Sequence, residues 1–393
     1  MTSDKRQKPR FVPPLAPCNV PIRRCGVPRD EASKRILIMR LAGYGDIVMA
    51  SPLLTALRQS MPDAHITWAA EATESDAVIA SPIVDEVLLW DTMFWKRMKR
   101  RLRYDLWLYH YLKFKREIEA RNFDIFISFQ PEEWGWLAQA TRASVKIGVF
   151  DTFRQFYGTS ATSRNTRLYD HAFTVDDLPA HRTDQYLLPL RPLGIPRPSP
   201  QMQIGFTVDD RAAVDAFLAG RLKNVRRIAV IAPMTTWPSR CWPADRFAEL
   251  CDRLPDDFGV VLIGSKSESD QIEKVAAGTH RPVVKACGVF DFRQAAAMIA
   301  RADVLVSGDT GPMHVAAAVG TPYVALFGPT PVPGRAPLAG PGRVLVHPVP
   351  CGPCDKKICP LSGADHMQCM RLITVDETVD AVLDLSTESS AAQ

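Results

Sequence analysis

No apolar run in this sequence of 393 residues approaches the roughly 20 residues needed to cross a bilayer as a helix. The opening MTSDKRQKPRFVPPLAPCNVPIRRCGVPRD is basic and proline-rich and lacks the apolar core of a secretory signal. We therefore expect a disordered arm over residues 1–33 and a cytoplasmic protein. A strong charge imbalance is missing too: a formal net charge of +5 is too mild to imply a nucleic-acid partner. No pair of aspartates closes a strand in a setting that suggests bound Mg²⁺. Asp209-Asp210 and Asp256-Asp257 fall in linker or turn contexts and read as solvated charges. Beyond a similar strand–helix–strand plan in its two halves, the chain has no internal repeat.

What the chain does have is the composition of a soluble globular protein, 46% apolar and 23% charged, and length for two domains. Ile36 to Leu41 is expected as a strand and Ala42-Gly43-Tyr44-Gly45-Asp46 as a glycine-containing turn. Ile47 to Ser60 is expected as a helix that buries Val48, Leu53, Leu54 and Leu57. His65 to Ala70, Val78-Ile79, Val87 to Trp90, Asp124 to Phe129 and Val145 to Val149 continue the alternation, the signature of a doubly wound α/β sheet. Residues 151–205 are loop-rich and dense in proline, which marks the end of a first domain and a linker. A second run starts at Arg227, with strands at Ile228–Ala232, Val260–Ile263 and Val283–Lys285 and helices over Ala244–Leu254 and Phe292–Ala300. The expected domains are 34–205 and 206–345, followed by a Cys-rich segment, 346–393, that ends in a helix over Thr374–Leu385.

The densest signal is Asp303 to Thr330, DVLVSGDTGPMHVAAAVGTPYVALFGPT. Val304 to Val306 has the β-branched content of a buried parallel strand. Ser307 to Pro312 breaks it and opens a helix, with Asp309 or Thr310 as N-cap and Pro312 in the first turn. The helix, His314 to Val319, stops at Gly320, and Tyr323 to Phe327 is the next strand. A polar loop at the carboxyl end of a strand is where open α/β sheets bind ligands, and helix N-termini attract phosphate. An ordinary capped helix has the same local pattern.

Two further stretches stand out. Trp95 to Asn122, WKRMKRRLRYDLWLYHYLKFKREIEARN, interleaves aromatic and aliphatic residues with nine Lys or Arg side chains between Lys96 and Arg116. It reads as a solvated helical face, or as a surface for an anionic partner: a phosphorylated acceptor or the cytoplasmic leaflet of a membrane. Of nine cysteines, an odd number, Cys351, Cys354, Cys359 and Cys369 crowd into CGPCDKKICPLSGADHMQCM. In a cytosolic chain such a cluster suggests a structural metal such as Zn, ahead of free buried thiols or disulfides, with His366 as an alternative fourth ligand.

RILIMRLAGYGDIVMASPLLTALRQSMPDAHITW, DTGPMHVAAAVGTPYVALFGPT and the loop TTWPSRCWP, Thr235 to Pro243, resemble glycosyltransferase family 9, the ADP-heptose:lipopolysaccharide heptosyltransferases. The resemblance runs from about Arg35 to Leu385. It implies a GT-B architecture, two Rossmann-like domains facing a cleft, the first for the acceptor and the second for the nucleotide-sugar donor. It further implies inverting transfer of a heptose from ADP-heptose to a lipopolysaccharide core or other glycan acceptor. No cofactor or metal is expected for catalysis, and peripheral contact with the inner membrane is expected.

Such a reaction needs a base for the acceptor hydroxyl and cationic or hydrogen-bonding groups for the departing diphosphate. Asp46 matches the family's proposed base; from its local pattern alone it is a helix N-cap. Thr235, Thr236 and Arg240 fall where the family contacts the donor phosphates, with Arg in place of a frequent Lys, which adds a fork for bidentate contact. Asp309, Thr310 and Gly311 match the donor loop, and His314, one turn into the helix, is placed to reach a phosphate or the sugar. Glu268 matches an acid that pairs with the ribose hydroxyls, although a helix-start Glu is favoured by the dipole alone. Certain relatives with similar cysteines hold iron there, so Zn and Fe are both candidates at the cluster. Other readings fit the same architecture. One is a protein O-heptosyltransferase, kept open by the cysteines. A second is a nucleotide-sugar 2-epimerase, whose extra acid and base groups the sequence does not show. A third is a non-catalytic binding module, against which the set Asp46, Thr235, Thr236, Arg240 and Asp309 argues.

Overall fold

The computed structural model describes residues 33–391 except 42, 92–93, 96, 99–102, 151–165, 175–176 and 224. The arm expected over 1–33 lies, but for Ser33, outside them. The chain divides into two compact units, one ending at Ser199 and the other beginning at Pro200.

In the first unit the order is β1 (Arg35–Met39), α1 (Tyr44–Met49), α2 (Ser51–Ser60), β2 (His65–Glu71), α3 (Ser75–Ile79) and β3 (Glu86–Trp90). There follow α4 (Tyr104–Ala120), β4 (Ile125–Ser128), α5 (Pro131–Ala140), β5 (Val145–Val149), β6 (His171–Phe173) and α6 (Arg182–Leu187). The strands pair in parallel in the order β3-β2-β1-β4-β5-β6, with Ile36 of β1 opposite Ile66 on one side and Ile125 on the other. A parallel strand covered on both faces needs successive apolar residues, and Ile36, Leu37, Ile38 and Met39 are all buried. Three expectations change. The helix over Ile47 to Ser60 is two helices, because Pro52 has no N–H to carry the ladder and sits in the first turn of α2. Val78-Ile79 belongs to α3 and not to a strand. The proline-rich stretch read as loop and linker supplies β6 and α6.

The second unit runs α7 (Val208–Leu218), β7 (Arg227–Ala232), α8 (Ala244–Arg253), β8 (Phe258–Gly264), α9 (Ser269–Gly278), β9 (Val283–Cys287) and α10 (Phe292–Ala300). It continues with β10 (Val304–Gly308), α11 (Gly311–Val319), β11 (Tyr323–Phe327), α12 (Val332–Arg335), β12 (Gly342–Val346), α13 (Gln368–Arg371) and α14 (Val375–Ala391). Its parallel sheet is ordered β12-β11-β10-β7-β8-β9. Counted from each unit's first strand, both sheets follow the order 3-2-1-4-5-6 of doubly wound, Rossmann-like folds. This two-unit α/β fold is the one expected. The strand order reverses between β1 and β4 in one unit and between β7 and β10 in the other. Loops leaving those strands part to opposite faces and open a crevice at the carboxyl ends.

The last helix, α14, packs Val375, Val379, Val382 and Leu385 into the second unit's own core beside Val324 and Leu326. That core is tight enough to predict a cost. Leu326→Ala, at a fully buried position, should destabilise the second unit by about 2–5 kcal/mol, seen as a lower urea midpoint by circular dichroism. A midpoint equal to that of the parent would contradict the packing described.

Candidate active site

At the first switch point the backbone is still held by the sheet beyond β1. The Arg40 N–H donates to the Ala69 carbonyl at 3.3 Å, and the Arg40 carbonyl accepts from Trp68 Nε1 at 3.0 Å. Across the switch, Gln130, which follows β4, accepts the Leu41 N–H at 2.8 Å. Gly43 then enters α1 at φ 94°, and a Cβ there would meet Asp46 Oδ2 at 2.6 Å. Only glycine leaves that carboxylate in place. Gly43, and not Asp46, is the N-cap, so Asp46 is free of the capping role its local pattern allowed.

Asp46 is instead ringed by donors. Oδ2 accepts from Arg40 Nη2 at 2.6 Å, Oδ1 accepts from the Tyr186 hydroxyl at 2.6 Å, and Arg182 Nε stands 3.7 Å from Oδ1. Burial pushes the carboxyl pKa up. Arg40, Arg182 and the hydrogen bonds from Tyr186 and Arg40 outweigh it and hold the group at about 2. Burial, with the neighbouring carboxylate, pushes the Tyr186 phenol upward, so it remains a donor. Arg182 and Tyr186 lie on α6, and Tyr186 is 140 positions from Asp46. No sequence signal links them; Arg40 alone leaves a trace, as a cation ending an apolar strand.

At the second switch point the loop after β7 meets the end of β10. A Cβ on Gly308 would meet Thr235 Cγ2 at 2.8 Å and the Arg240 carbonyl at 3.1 Å, so glycine lets the two approach. Thr235 turns its hydroxyl inward, donating to the Trp237 carbonyl at 2.7 Å. The Arg240 guanidinium lies 3.8 Å over the Trp237 ring. Its Nη1 is 3.3 Å from Asp309 Oδ2, which also accepts from Thr330 Oγ1 at 2.8 Å. Its Nη2 is 3.8 Å from Asp355, and Asp355 is 3.4 Å from Arg335 Nη2 on α12. The Arg240 side chain is only 8% exposed, and its Nε and Nη2 have no hydrogen-bond partner. Burial lowers its pKa, Asp309 and Asp355 oppose this, and the like charge of Arg335 adds to it. A buried guanidinium with unmet N–H groups lacks hydrogen-bond acceptors.

The other expected residues occupy the same carboxyl edge. Thr310 is the N-cap of α11 without a side-chain cap bond, Gly311 opens the helix, and His314 is buried on it. Thr236 is exposed, and a cavity of about 300 Å³ beside it is lined by Met234, Thr235, Trp242, Gln271 and Val275. Glu268 Oε2 accepts from the Ser265 N–H at 2.6 Å and from its hydroxyl at 2.8 Å, a capping box at the end of β8.

The metal expected at Cys351, Cys354, Cys359 and Cys369 finds no support. All are free thiols, and among the described residues no three His, Cys, Asp or Glu side chains are placed to hold an ion. Cys359 Sγ accepts from the Met367 N–H at 3.4 Å, and the proposed alternative, His366, donates Nδ1–H to the Leu361 carbonyl at 2.8 Å. Burial raises the Cys369 thiol, and the other three cysteines add to it. The segment braces the Arg240 loop instead: Ser239 Oγ donates to the Lys356 carbonyl at 2.6 Å, and the Asp355 N–H to the Pro329 carbonyl at 2.7 Å.

Because the Asp46 pKa of about 2 lies below its unfolded value, its network stabilises the fold fully above about pH 4 and loses that contribution as pH falls toward 2. Tyr186→Phe should raise the Asp46 pKa and cost about 1–3 kcal/mol near neutral pH. Melting curves at pH 7 check it, and an unchanged Tm would contradict the network.

Comparisons with known proteins agree with the fold. The chain is 23% identical over 301 residues to the lipopolysaccharide core heptosyltransferase OpsX of Haemophilus influenzae, covering 76% of this chain and 80% of the relative. The solved structure of the glycosyl transferase family 9 protein from Veillonella parvula superposes with a TM-score of 0.73 at 22% identity, covering 90% of this chain and 97% of that one. Escherichia coli heptosyltransferase WaaC, solved with ADP, superposes with a TM-score of 0.65 at 19% identity, covering 89% and 99%. The family model of glycosyltransferase family 9 (heptosyltransferase) matches residues 111–364. The chain belongs to that family, the heptosyltransferases.

Proposed function

We propose that the protein transfers a heptose, with inversion, from ADP-heptose to a hydroxyl of a lipopolysaccharide inner-core acceptor at the cytoplasmic side of the inner membrane. The observation that carries the reading is the gathering of two guanidiniums, Arg240 and Arg335, around Asp355 at the sheet switch point where Asp309 leads into α11. The similarity to a heptosyltransferase solved with ADP supports the nucleotide, and the similarity to a lipopolysaccharide core heptosyltransferase supports the acceptor.

In this proposal the acceptor hydroxyl attacks the anomeric carbon from the face opposite the diphosphate. Its proton passes to Asp46, the bond from sugar to phosphate oxygen breaks, and the electron pair leaves with ADP. A carboxylate with a pKa of about 2 is a weak base. The proton therefore moves late, once the forming bond has acidified the attacking oxygen. Arg240 and Arg335, with the N–H groups that open α11 at Gly311 and the Thr310 hydroxyl, receive the negative charge on the diphosphate. Asp309 and Asp355 position the two guanidiniums. Thr235 shapes the loop and exposed Thr236 offers a hydroxyl. Glu268, fixed by its capping box, faces the ribose, and His314 lies one turn deeper toward the sugar. With two cations on the leaving group, transfer requires no metal.

Incubation with a heptose-deficient lipopolysaccharide core, followed by mass spectrometry, tests the reaction. ADP-heptose should add one heptose with or without EDTA, and UDP- or GDP-sugars should add nothing. Product from a UDP- or GDP-sugar and none from ADP-heptose would overturn the donor. Asp46→Asn should lower kcat by about 10²-fold or more with ADP affinity nearly unchanged. Arg240→Ala should weaken ADP binding by about tenfold or more. A normal kcat in Asp46→Asn removes the base assignment.

A further inference from the structure

We propose that Tyr186 is a positioning residue for the transfer: its hydroxyl fixes the Asp46 carboxylate in the orientation that meets the acceptor hydroxyl. This role rests on Asp46 being the base, as proposed above. Its helix, α6, is six residues long and is capped by His181, whose Nδ1 accepts the Thr183 N–H at 3.1 Å. Arg182 and Tyr186 are four positions apart and share one face of the helix. Leu187 is buried, as are Leu188 and Leu190 of the 3₁₀ turn that follows, and α6 packs against α1, which carries Asp46, and against α2.

That packing leaves the phenol one place for its hydroxyl. Tyr186 is only 2% exposed. Its ring meets the Phe129 ring edge-on at 4.9 Å, and the Arg40 guanidinium carbon lies 5.9 Å from its centroid. The hydroxyl therefore stays where the ring puts it, 2.6 Å from Asp46 Oδ1, while Arg40 holds Oδ2 at 2.6 Å. The terminal torsion of an aspartate is broad, so one donor alone leaves the carboxylate free to turn. Two fixed donors, one on each oxygen, set its plane. The Asp46 side chain is 23% exposed, so the phenol grips it from the buried side and leaves an accessible edge for substrate.

Magnitudes decide which consequence of the bond prevails. Arg40 and Arg182 supply the charge that keeps Asp46 ionised, whereas Tyr186 is neutral and its phenol stays protonated. A hydrogen bond to a carboxylate favours the anion and lowers its basicity by about one or two pKa units. With a proton that moves late, only a small share of that loss reaches the barrier. A misplacement of about 1 Å, by contrast, can cost about 100-fold in rate. Orientation outweighs basicity, so losing the hydroxyl slows the reaction.

The test is steady-state transfer by full-length protein, well below its Tm, with ADP-heptose and a heptose-deficient lipopolysaccharide core. Tyr186→Phe keeps the ring and removes only the hydroxyl. Its kcat should fall about tenfold or more, with KM for both substrates within about twofold of the parent. Ile118→Ala, at a buried position on α4, should lower Tm at least as far and keep kcat within about twofold. Added to Asp46→Asn, Tyr186→Phe should lower kcat no further, because residues that act as one unit are not additive. A normal kcat in Tyr186→Phe beside a low one in Asp46→Asn overturns the positioning role and leaves the base in place. So does a further fall in the double variant, or a loss in Ile118→Ala as large as that in Tyr186→Phe. A normal kcat in Asp46→Asn removes the base itself, and the role of Tyr186 with it.

Discussion

A parallel sheet wound in both directions has one place where polar groups gather without breaking the core: the crevice at the strand carboxyl ends where the order reverses. The structure depends on that constraint twice. Beside β1 and β4 stand Asp46, Arg40, Arg182 and Tyr186; beside β7 and β10 stand Arg240, Asp309 and Thr330. The strands below are apolar on both faces, so each charge at the rim must be matched by a side chain or by a ligand.

The two units meet that requirement in opposite ways. In the first, one carboxylate has an excess of donors, which makes it a fixed anion of low basicity. In the second, one guanidinium has too few acceptors, and its two neighbouring carboxylates leave buried N–H groups unmet. An arrangement built for stability alone would have no reason to leave donors unmet at a sheet edge. The transfer proposed for this protein would use both conditions: a place for a proton, and a place for a departing diphosphate.

Packing also reassigned two segments whose composition is conspicuous. The cysteines suggested an ion, yet the same stretch brings Asp355 to Arg240 and Arg335 and pins the loop between them through Ser239. Basic α4 suggested a solvated face, yet its apolar residues divide between the core and the outside. Composition reports which side chains are present. It does not say which way a helix is turned.

Much of the fold is written in short-range pattern. The buried runs of β1, β10 and β11, the Gly320 stop of α11 in the left-handed region and the small-residue loops after the strands follow from periodicities of two and 3.6 and from the few residues that tolerate turns. Those loops also located Asp46, Arg240 and Asp309 at strand ends. The tertiary structure alone decided their partners. Tyr186 comes from a proline-rich stretch that reads as linker, and Asp355 from a cluster that reads as a metal site. The reason is physical: secondary structure is set by neighbours a few positions apart, whereas the state of a charge is set by burial and by whatever distant side chains the fold carries to it.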